Sequence, residues 1–204
     1  MKIAIDAINL RGGGITHLKN ILQYHNFNKK KTKIIIWCND EVKKAIKKKN
    51  NIFFNNYSFF DKNLILRFLW SFFFLKKELH EMKCDVIFCL NGLAVNNFHN
   101  NVVFFQNVYP LNKELHGKNE SILKKLKYYF QYKMFINSYK ISNANIFPSN
   151  YAKSLFENKF GKRNKNYVVH HGAINNKKIK FTDNNNIICI SSLESFKNIK
   201  NLIY

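Results

Sequence analysis

The sequence predicts an α/β fold with a doubly wound, mainly parallel sheet that helices cover on both faces. Short runs that are apolar throughout alternate with longer segments whose apolar residues recur at helical spacing. Solidly apolar runs of this kind are typical of parallel strands that are buried on both faces. With 204 residues and 46% hydrophobic content, the chain is long enough for one such domain and part of another.

In the first half of the chain, four strands alternate with three helices. The predicted strands are KIAIDAI, TKIIIWCN, NNIFFNN and CDVIFCLNG. THLKNILQYH has helical spacing, and DEVKKAIKKKN has acids at its start and lysines at its end, which suits the helix dipole. A long helix is predicted over 63–83. Its apolar run LILRFLWSFFFL is too short to span a bilayer, so we expect it to be buried, with an interfacial position as the alternative.

The second half continues the alternation up to about residue 175. The predicted strands are NVVFFQNVYP, NANIFPSN and KNYVVHHGAI, and the predicted helices are 121–142 and YAKSLFENKFG, which Gly161 would cap. We expect the buried side of helix 121–142 to include Leu123, Leu126, Phe130, Met134 and Tyr139. The pattern thus predicts one domain over 1–175, a polar linker over 176–186, and over 187–204 the first strand and the helix start of an incomplete second domain.

The formal net charge of +22 is typical of chains that bind nucleic acid, an anionic membrane or a phosphate-rich ligand. Lys outnumbers Arg by 31 to 3, and Asn is also frequent at 32 residues, as AT-rich codon usage would produce. Codon bias therefore accounts for part of the charge. Because planar recognition of phosphate favours Arg, the shortage of Arg disfavours a dedicated nucleic-acid binder.

The cysteines and the N-terminal segment indicate a cytoplasmic protein. The four cysteines are far apart and form no CxxC pair, as expected of buried cytosolic thiols, and no secretory h-region precedes Asp6. Helix 121–142 combines aromatic residues with five lysines, so a peripheral position at the inner face of the plasma membrane is an alternative to an ordinary solvated face. These lysines are Lys124, Lys125, Lys127, Lys133 and Lys140.

Ligands of parallel sheets bind at the carboxyl ends of the strands, and this rule defines a set of candidate residues. Gly12, Gly13 and Gly14 would leave backbone amides uncovered before a helix, where they can bind an anion, although a tight turn is the alternative. The GxGxxG pattern is absent, which disfavours a dinucleotide oxidoreductase. The other strand-end candidates are Asn9 to Arg11, Asn91, Gly92, Gln106, Asn107, Ser149 and His170 to Gly172.

Six segments, taken in chain order, resemble the family 4 glycosyltransferases, whose GT-B architecture has two facing Rossmann-like domains. The segments are MKIAIDAINLRGGGITHLKNIL, LRFLWSFFFLKKELHEMKCDVIFCLNG, VVFFQNVYPLNKE, NANIFPSNYAKSLF, YVVHHGAI and ICISSLESFKNIKNLI. They resemble the opening strand with its glycine-rich loop, an Arg-x-x-Trp helix that leads into an Asp-Val strand, and four later strands with their following turns. The resemblance implies an N-terminal, Rossmann-like acceptor-side domain followed by the start of the donor domain.

The resemblance also implies a function: retaining transfer of a sugar from a nucleotide-sugar donor to a glycan or lipid-linked acceptor in cell-surface polysaccharide synthesis. It implies that the three glycines face the donor phosphate and the acceptor. Lys197 matches the lysine that reaches the donor diphosphate, whereas Ser192 stands where an Arg is often found. Gln106 and Asn107 are candidate acceptor contacts, with a turn cap as the alternative.

The chain departs from this family in lacking the Glu-x7-Glu carboxylate pair. The catalytic residues are therefore unknown, and we expect a truncated or split form, or a fragment, that is inactive alone. The donor half would be supplied either in the same chain or by a second polypeptide. No cofactor is predicted, and because His170 and His171 lack further metal-ligand partners nearby in sequence, no metal is predicted either. The alternative function is a non-catalytic basic module that binds nucleic acid or an anionic membrane.

Overall fold

The computed structural model describes residues 1–24, 32–111 and 121–172. Seven strands within them form one sheet in the order β3-β2-β1-β4-β5-β6-β7, and every neighbouring pair is parallel. The strands are β1 Lys2–Ala7, β2 Lys33–Cys38, β3 Ile52–Asn55, β4 Val86–Cys89, β5 Asn101–Phe104, β6 Ala144–Phe147 and β7 Asn166–Val168. The predicted Rossmann-like α/β fold is confirmed. The order of the strands reverses between β1 and β4, which is the topological switch point of the sheet.

Helices follow most of the strands, and four of the described helices begin at a side chain that caps them. They are α1 Gly13–Tyr24, α2 Asp40–Ala45, α3 Phe59–Lys62, α4 Leu64–Phe73, α5 Leu75–Glu81, α6 Ile122–Ile141 and α7 Asn150–Phe160, with a 3₁₀ turn at Tyr109–Leu111. Asn39, Asn63, Ser121 and Ser149 accept hydrogen bonds from backbone N–H groups in the first turns of α2, α4, α6 and α7. Such N-caps stabilise a helix by about 1 kcal/mol each.

The two faces of the sheet carry separate apolar cores. Under α1 and α2, residues such as Ile5, Leu18 and Ile36 are buried together. On the other face, α3 to α7 cover a larger core that is rich in aromatic side chains. Its largest fully buried members are Trp37, Phe60, Phe105, Tyr139, Phe147 and Phe156. Burial on both faces explains why the strands are apolar throughout rather than alternating.

The single long helix predicted over 63–83 is wrong in two respects. The helix is interrupted at Phe74, so that α4 and α5 are separate and α5 packs on the core through Leu75 and Leu79. The apolar run of α4 is also exposed rather than buried, because the inward side of α4 carries Arg67, Trp70 and Ser71, and the apolar residues on its other sides cannot reach the core. The exposed side chains here are Ile65, Leu66, Phe68, Leu69, Phe72, Phe73 and Phe74.

The buried side predicted for α6 is only partly correct. Tyr139 is fully buried, but Leu123 is 79% exposed, and Leu126 and Phe130 are exposed as well. The residues that reach the core are in the second half of the helix, where Phe135 and Tyr139 lie one turn apart. The N-terminal half of α6 therefore presents an apolar surface to the outside.

Three further expectations concern element ends and boundaries. The fifth strand ends at Phe104, so Gln106 and Asn107 lie in the loop that follows it. Gly161 ends α7 with a φ of 89°, and its N–H donates to the carbonyl of Glu157, as predicted. The linker over 176–186 and the second-domain segment over 187–204 lie outside the described residues.

Candidate functional site

The loops after β1 and β4 meet at the switch point of the sheet. Asp6, the penultimate residue of β1, accepts a hydrogen bond at Oδ2 from the side-chain amide of Asn91, with an N–O distance of 3.1 Å. Its other oxygen accepts from the backbone N–H of Ile8 at 3.2 Å. Since ligands of parallel sheets bind in this crevice, Asp6 and Asn91 mark the candidate site.

The buried environment of the Asp6 carboxyl group disfavours its ionised form. The residue is 3% exposed, and burial raises its pKa from 3.8 to about 6, although the hydrogen bonds from Ile8 and Asn91 oppose the rise. At neutral pH the carboxylate is therefore ionised but desolvated. Sequence reasoning missed Asp6 as a site residue, and the available signal was an acid inside the otherwise apolar run KIAIDAI. Buried carboxyl groups with raised pKa values are enriched at functional sites.

A small pocket of about 60 Å³ opens beside this carboxylate. Asp6, Asn9, Ser71, Asn91 and Asn96 supply its polar lining, and the buried Oγ of Ser71 has no hydrogen-bond partner among the described residues. The apolar lining includes Phe68 and Phe72 of α4 and Met134 of α6. Aromatic walls with a few polar groups are typical of sites that bind small organic ligands.

The glycine-rich turn lies at the same edge of the sheet, between β1 and α1. Gly12 has a φ of 51°, in the left-handed region that glycine adopts easily. Gly14 donates its N–H to Arg11, and Ile15 donates to Gly12, so these two amides are already satisfied. Among the described residues, the amides of Gly12 and Gly13 donate no hydrogen bond, and a Cβ at either glycine would meet no atom within 4 Å. The N-terminal end of α1 is therefore open to an anion.

Asn39 holds this turn in place. Its buried side-chain amide donates to the carbonyl oxygens of Ile8 at 3.1 Å and Leu10 at 3.0 Å, while its Oδ1 caps α2 by accepting from Val42. The end of β2 is thereby joined to the loop that follows β1. Sequence reasoning missed this role, because an Asn between a strand and a helix gives no sign of bonds to a distant loop.

The remaining strand-end candidates make mostly structural contacts. Asn107 caps a turn by accepting from the N–H of Tyr109, and Ser149 caps α7. Gly92 has a φ of 78°, and a Cβ there would lie 2.9 Å from the ring of Phe135. Gln106 differs, because its buried Nε2 has no hydrogen-bond partner in the part of the chain that the structure describes.

The histidines after β7 do not form a metal site within the described chain. His171 Nδ1 lies 3.0 Å from Nδ1 of His17, and His170 contacts the carbonyl of Pro148. Burial, and then the charge of His171, lower the pKa of His17. No cluster of three or more metal-ligand side chains occurs among the described residues. Lys197, the candidate donor-phosphate lysine, lies outside them.

The two helices that line the pocket, α4 and α6, each expose an apolar surface. On α6, Ile122, Leu126, Tyr129 and Phe130 recur at helical spacing on the outward side, together with lysines. On α4 the outward side is entirely apolar, with Phe73 63% exposed, while the helix's one charged residue, Arg67, is buried. Within the described part of the chain, no helix is both long and apolar enough to cross a membrane.

Comparisons with known proteins give matches only at the level of structure. No family model matches the chain, and no curated protein matches it. A crystal structure of HepE from Anabaena in complex with UDP aligns at a TM-score of 0.47 and 13% identity, over 84% of this chain and 44% of that one. The apo form of the lipopolysaccharide outer core galactosyltransferase WaaB aligns at a TM-score of 0.49 and 16% identity, over 83% and 45%. The chain thus spans less than half the length of either structure.

Proposed function

We propose that the chain is the acceptor-side half of a retaining GT-B glycosyltransferase, similar to family 4, that uses a nucleotide-sugar donor. The observation that carries the proposal is the pairing, at one edge of the sheet, of a polar pocket around Asp6 with the open N-terminal end of α1. The acceptor is a glycan or a lipid-linked sugar. The resemblance of the six sequence segments to family 4 supports the same assignment.

Each part of this edge has a role in sugar transfer. Asp6 and the hydroxyl of Ser71 hydrogen-bond acceptor hydroxyl groups, and Phe68 and Phe72 pack against the apolar face of a sugar ring. The amides of Gly12 and Gly13, with the α1 dipole behind them, stabilise the negative charge that develops on the departing diphosphate. Gln106, whose Nε2 is free within the described chain, is a further acceptor contact.

The donor side of the reaction depends on residues beyond this edge. Lys197 is proposed to reach the donor diphosphate. Because no Glu-x7-Glu pair occurs in the sequence, residues 1–204 alone are expected to transfer no sugar. Incubation with a panel of nucleotide sugars and a lipid-linked acceptor, followed by mass spectrometry, tests this expectation. Sugar transfer by this chain alone would contradict the proposal that the reaction requires the Glu-x7-Glu pair.

We also propose that an anionic membrane surface presents the lipid-linked acceptor. Both α4 and α6 line the pocket and expose apolar residues elsewhere on their surfaces, and the formal net charge of the chain is +22. An apolar helix face with lysines around it is suited to the headgroup region of an anionic bilayer. The pocket would then open close to the membrane surface.

Vesicle co-sedimentation tests the membrane proposal. Leu126→Ser combined with Phe130→Ser is expected to weaken binding to phosphatidylglycerol vesicles by about tenfold, because both side chains lose apolar burial. Tyr167→Ser removes a comparably exposed aromatic residue from β7 and should leave binding unchanged. Equal binding to neutral phosphatidylcholine vesicles, or preferential binding to an oligonucleotide, would contradict the proposal and favour a nucleic-acid module.

A further inference from the structure

The pocket beside β1 carries a negative charge in a chain that is strongly basic. The sequence has 34 lysine and arginine residues against 12 acidic residues. Among the described residues that line the pocket, Asp6 is the one charged residue, and none is basic. Arg67, the one charged residue of α4, is not part of this lining. The pocket therefore has the opposite charge to the chain as a whole.

The carboxylate of Asp6 has hydrogen bonds but no counter-ion. Its two oxygens accept from the backbone N–H of Ile8 at 3.2 Å and from the side-chain amide of Asn91 at 3.1 Å. Within the described part of the chain, no basic side chain forms an ion pair with it. Neutral donors leave its charge uncompensated, and a buried charge is strongly unfavourable unless a cation pairs with it. This arrangement favours a ligand that brings a positive charge.

The other polar groups of the pocket offer acceptors to such a ligand. The buried Oγ of Ser71 has no hydrogen-bond partner among the described residues. Both polar groups of the Asn91 side chain are engaged, since its Nδ2 donates to Asp6 and its Oδ1 accepts from the N–H of Leu93 at 3.1 Å. An ammonium group has three donors and can bond to Asp6 and Ser71 at once, whereas a hydroxyl group has a single donor.

Aromatic side chains complete an environment that is suited to a cation. Phe68 and Phe72 both line the pocket, and their rings stack with centroids 6.4 Å apart. Both side chains are partly exposed, so a ligand in the pocket can reach them. The face of an aromatic ring attracts a cation that lies within about 6 Å of its centroid. A carboxylate beside aromatic rings thus favours the binding of an amine.

The size of the pocket limits what can enter it. Its volume of about 60 Å³ is far below the roughly 300–1,000 Å³ of pockets that enclose a whole small-molecule ligand. An amino group with its attached carbon can enter, while a sugar ring would remain at the mouth, against Phe68 and Phe72. The pocket is therefore suited to one substituent of a larger ligand.

We propose that the Asp6 pocket binds the ammonium group of a primary amine, and that the acceptor is an amino sugar whose amine is free. The ammonium group forms an ion pair with the Asp6 carboxylate and donates to the Oγ of Ser71. Only the assignment of this amine to an acceptor sugar rests on the function proposed above. Binding of the amine itself requires no sugar transfer.

Titration of the ¹⁵N-labelled chain with glucosamine at neutral pH tests the site. The backbone amide of Ile8 and the side-chain amide of Asn91 both donate to Asp6, so their resonances report on its carboxylate. Saturable shifts of both are expected. The affinity for glucosamine should be about tenfold above that for N-acetylglucosamine, which has the same ring but no charge on its nitrogen.

Asp6→Asn removes the charge while keeping the size of the side chain. It is expected to lower the affinity for glucosamine about tenfold, to that for N-acetylglucosamine. Asp85→Asn is the matched control, because Asp85 is exposed, accepts from the N–H of Lys2 at the opposite end of β1, and lies outside the pocket. It should leave binding of glucosamine unchanged. Equal affinities for the two sugars, or an affinity that Asp6→Asn does not lower, would overturn the proposal.

Two further titrations separate this site from the proposed function. Ethanolamine carries an amine without a ring, and binding as tight as that of glucosamine would contradict the assignment to an amino sugar. Asp6-dependent binding of glucosamine combined with no binding of UDP would support the amine site and contradict the nucleotide part of the proposed function. Binding of UDP without any binding of glucosamine would overturn the amine site and leave the proposed function in place.

Discussion

Replacing Asp6 by Asn is expected to stabilise the protein, and to do so increasingly as the pH rises. Asp6 is buried at the end of β1, and its pKa rises from 3.8 to about 6 on folding. Since one pKa unit corresponds to 1.36 kcal/mol, ionised Asp6 costs the folded state about 3 kcal/mol. Asn removes this cost while keeping the size of the side chain and a carbonyl oxygen for the N–H of Ile8.

The pH dependence follows from which state of the protein holds the proton. Below the unfolded-state value of 3.8 both states are protonated, so the ionisation of Asp6 has no effect on stability. Between 3.8 and about 6 the unfolded chain loses the proton first, so stability falls as the pH rises. Above about 6 the full cost is present. The advantage of Asp6→Asn should therefore be about 1 kcal/mol at pH 4.5 and about 3 kcal/mol at pH 7.5.

Urea unfolding of both proteins at several pH values between 4.5 and 7.5 measures this difference. Every other titratable group is present in both proteins, so its contribution cancels when their free energies of unfolding are subtracted at each pH. Any pH-independent effect of the Asn side chain on stability also cancels. The predicted quantity is the change in the stability difference between pH 4.5 and pH 7.5, which is about 2 kcal/mol. Glu41→Gln, at an exposed position, controls for the loss of one negative charge. A difference that stays constant with pH would refute the claim that Asp6 is desolvated in the fold.

Three further substitutions test the elements around the site. Gly13→Ala should leave stability within about 0.5 kcal/mol, because the space beside it is open, but should weaken phosphate binding measured by calorimetry. Gly92→Ala should cost about 2–4 kcal/mol in urea unfolding, since its φ of 78° and the ring of Phe135 at 2.9 Å leave no room for a methyl group. Asn39→Ala should cost about 2–3 kcal/mol in the same assay, through loss of the α2 cap and of the bonds to Ile8 and Leu10. It should also weaken phosphate binding, and full retention of binding would show that Asn39 does not position the turn.

The strands and their parallel arrangement could be predicted because their sequence pattern is local. The run IIIWC in β2 is apolar throughout, and its short length and β-branched residues favour a strand buried on both faces. The helices α4 and α6 were harder, because both expose apolar residues and the inward side of α4 carries Arg67 and Ser71. Periodicity cannot tell which side of such a helix packs, so neither the outward position of Phe73 nor that of Leu123 could be read from spacing.

The site was predictable only where backbone chemistry is visible in the sequence. Gly12 and Gly13 follow the first strand, and their place at the N-terminal end of α1 follows from chain order. Asp6 and Asn39 act through contacts with residues distant in sequence. The bond between Asp6 and Asn91 joins residues 85 positions apart, and no local pattern encodes such a contact.

The central claim is that the edge formed by Asp6, Asn91 and the glycine turn binds the ligand. Its most direct test is a titration of the ¹⁵N-labelled chain with UDP, followed by amide chemical shifts. If this edge is the site, saturable shifts are expected at Gly12 and Gly13 and in the loop at Asn91. Shifts confined to the lysines of α6, or spread evenly over the basic surface with Gly12 and Gly13 unaffected, would contradict it.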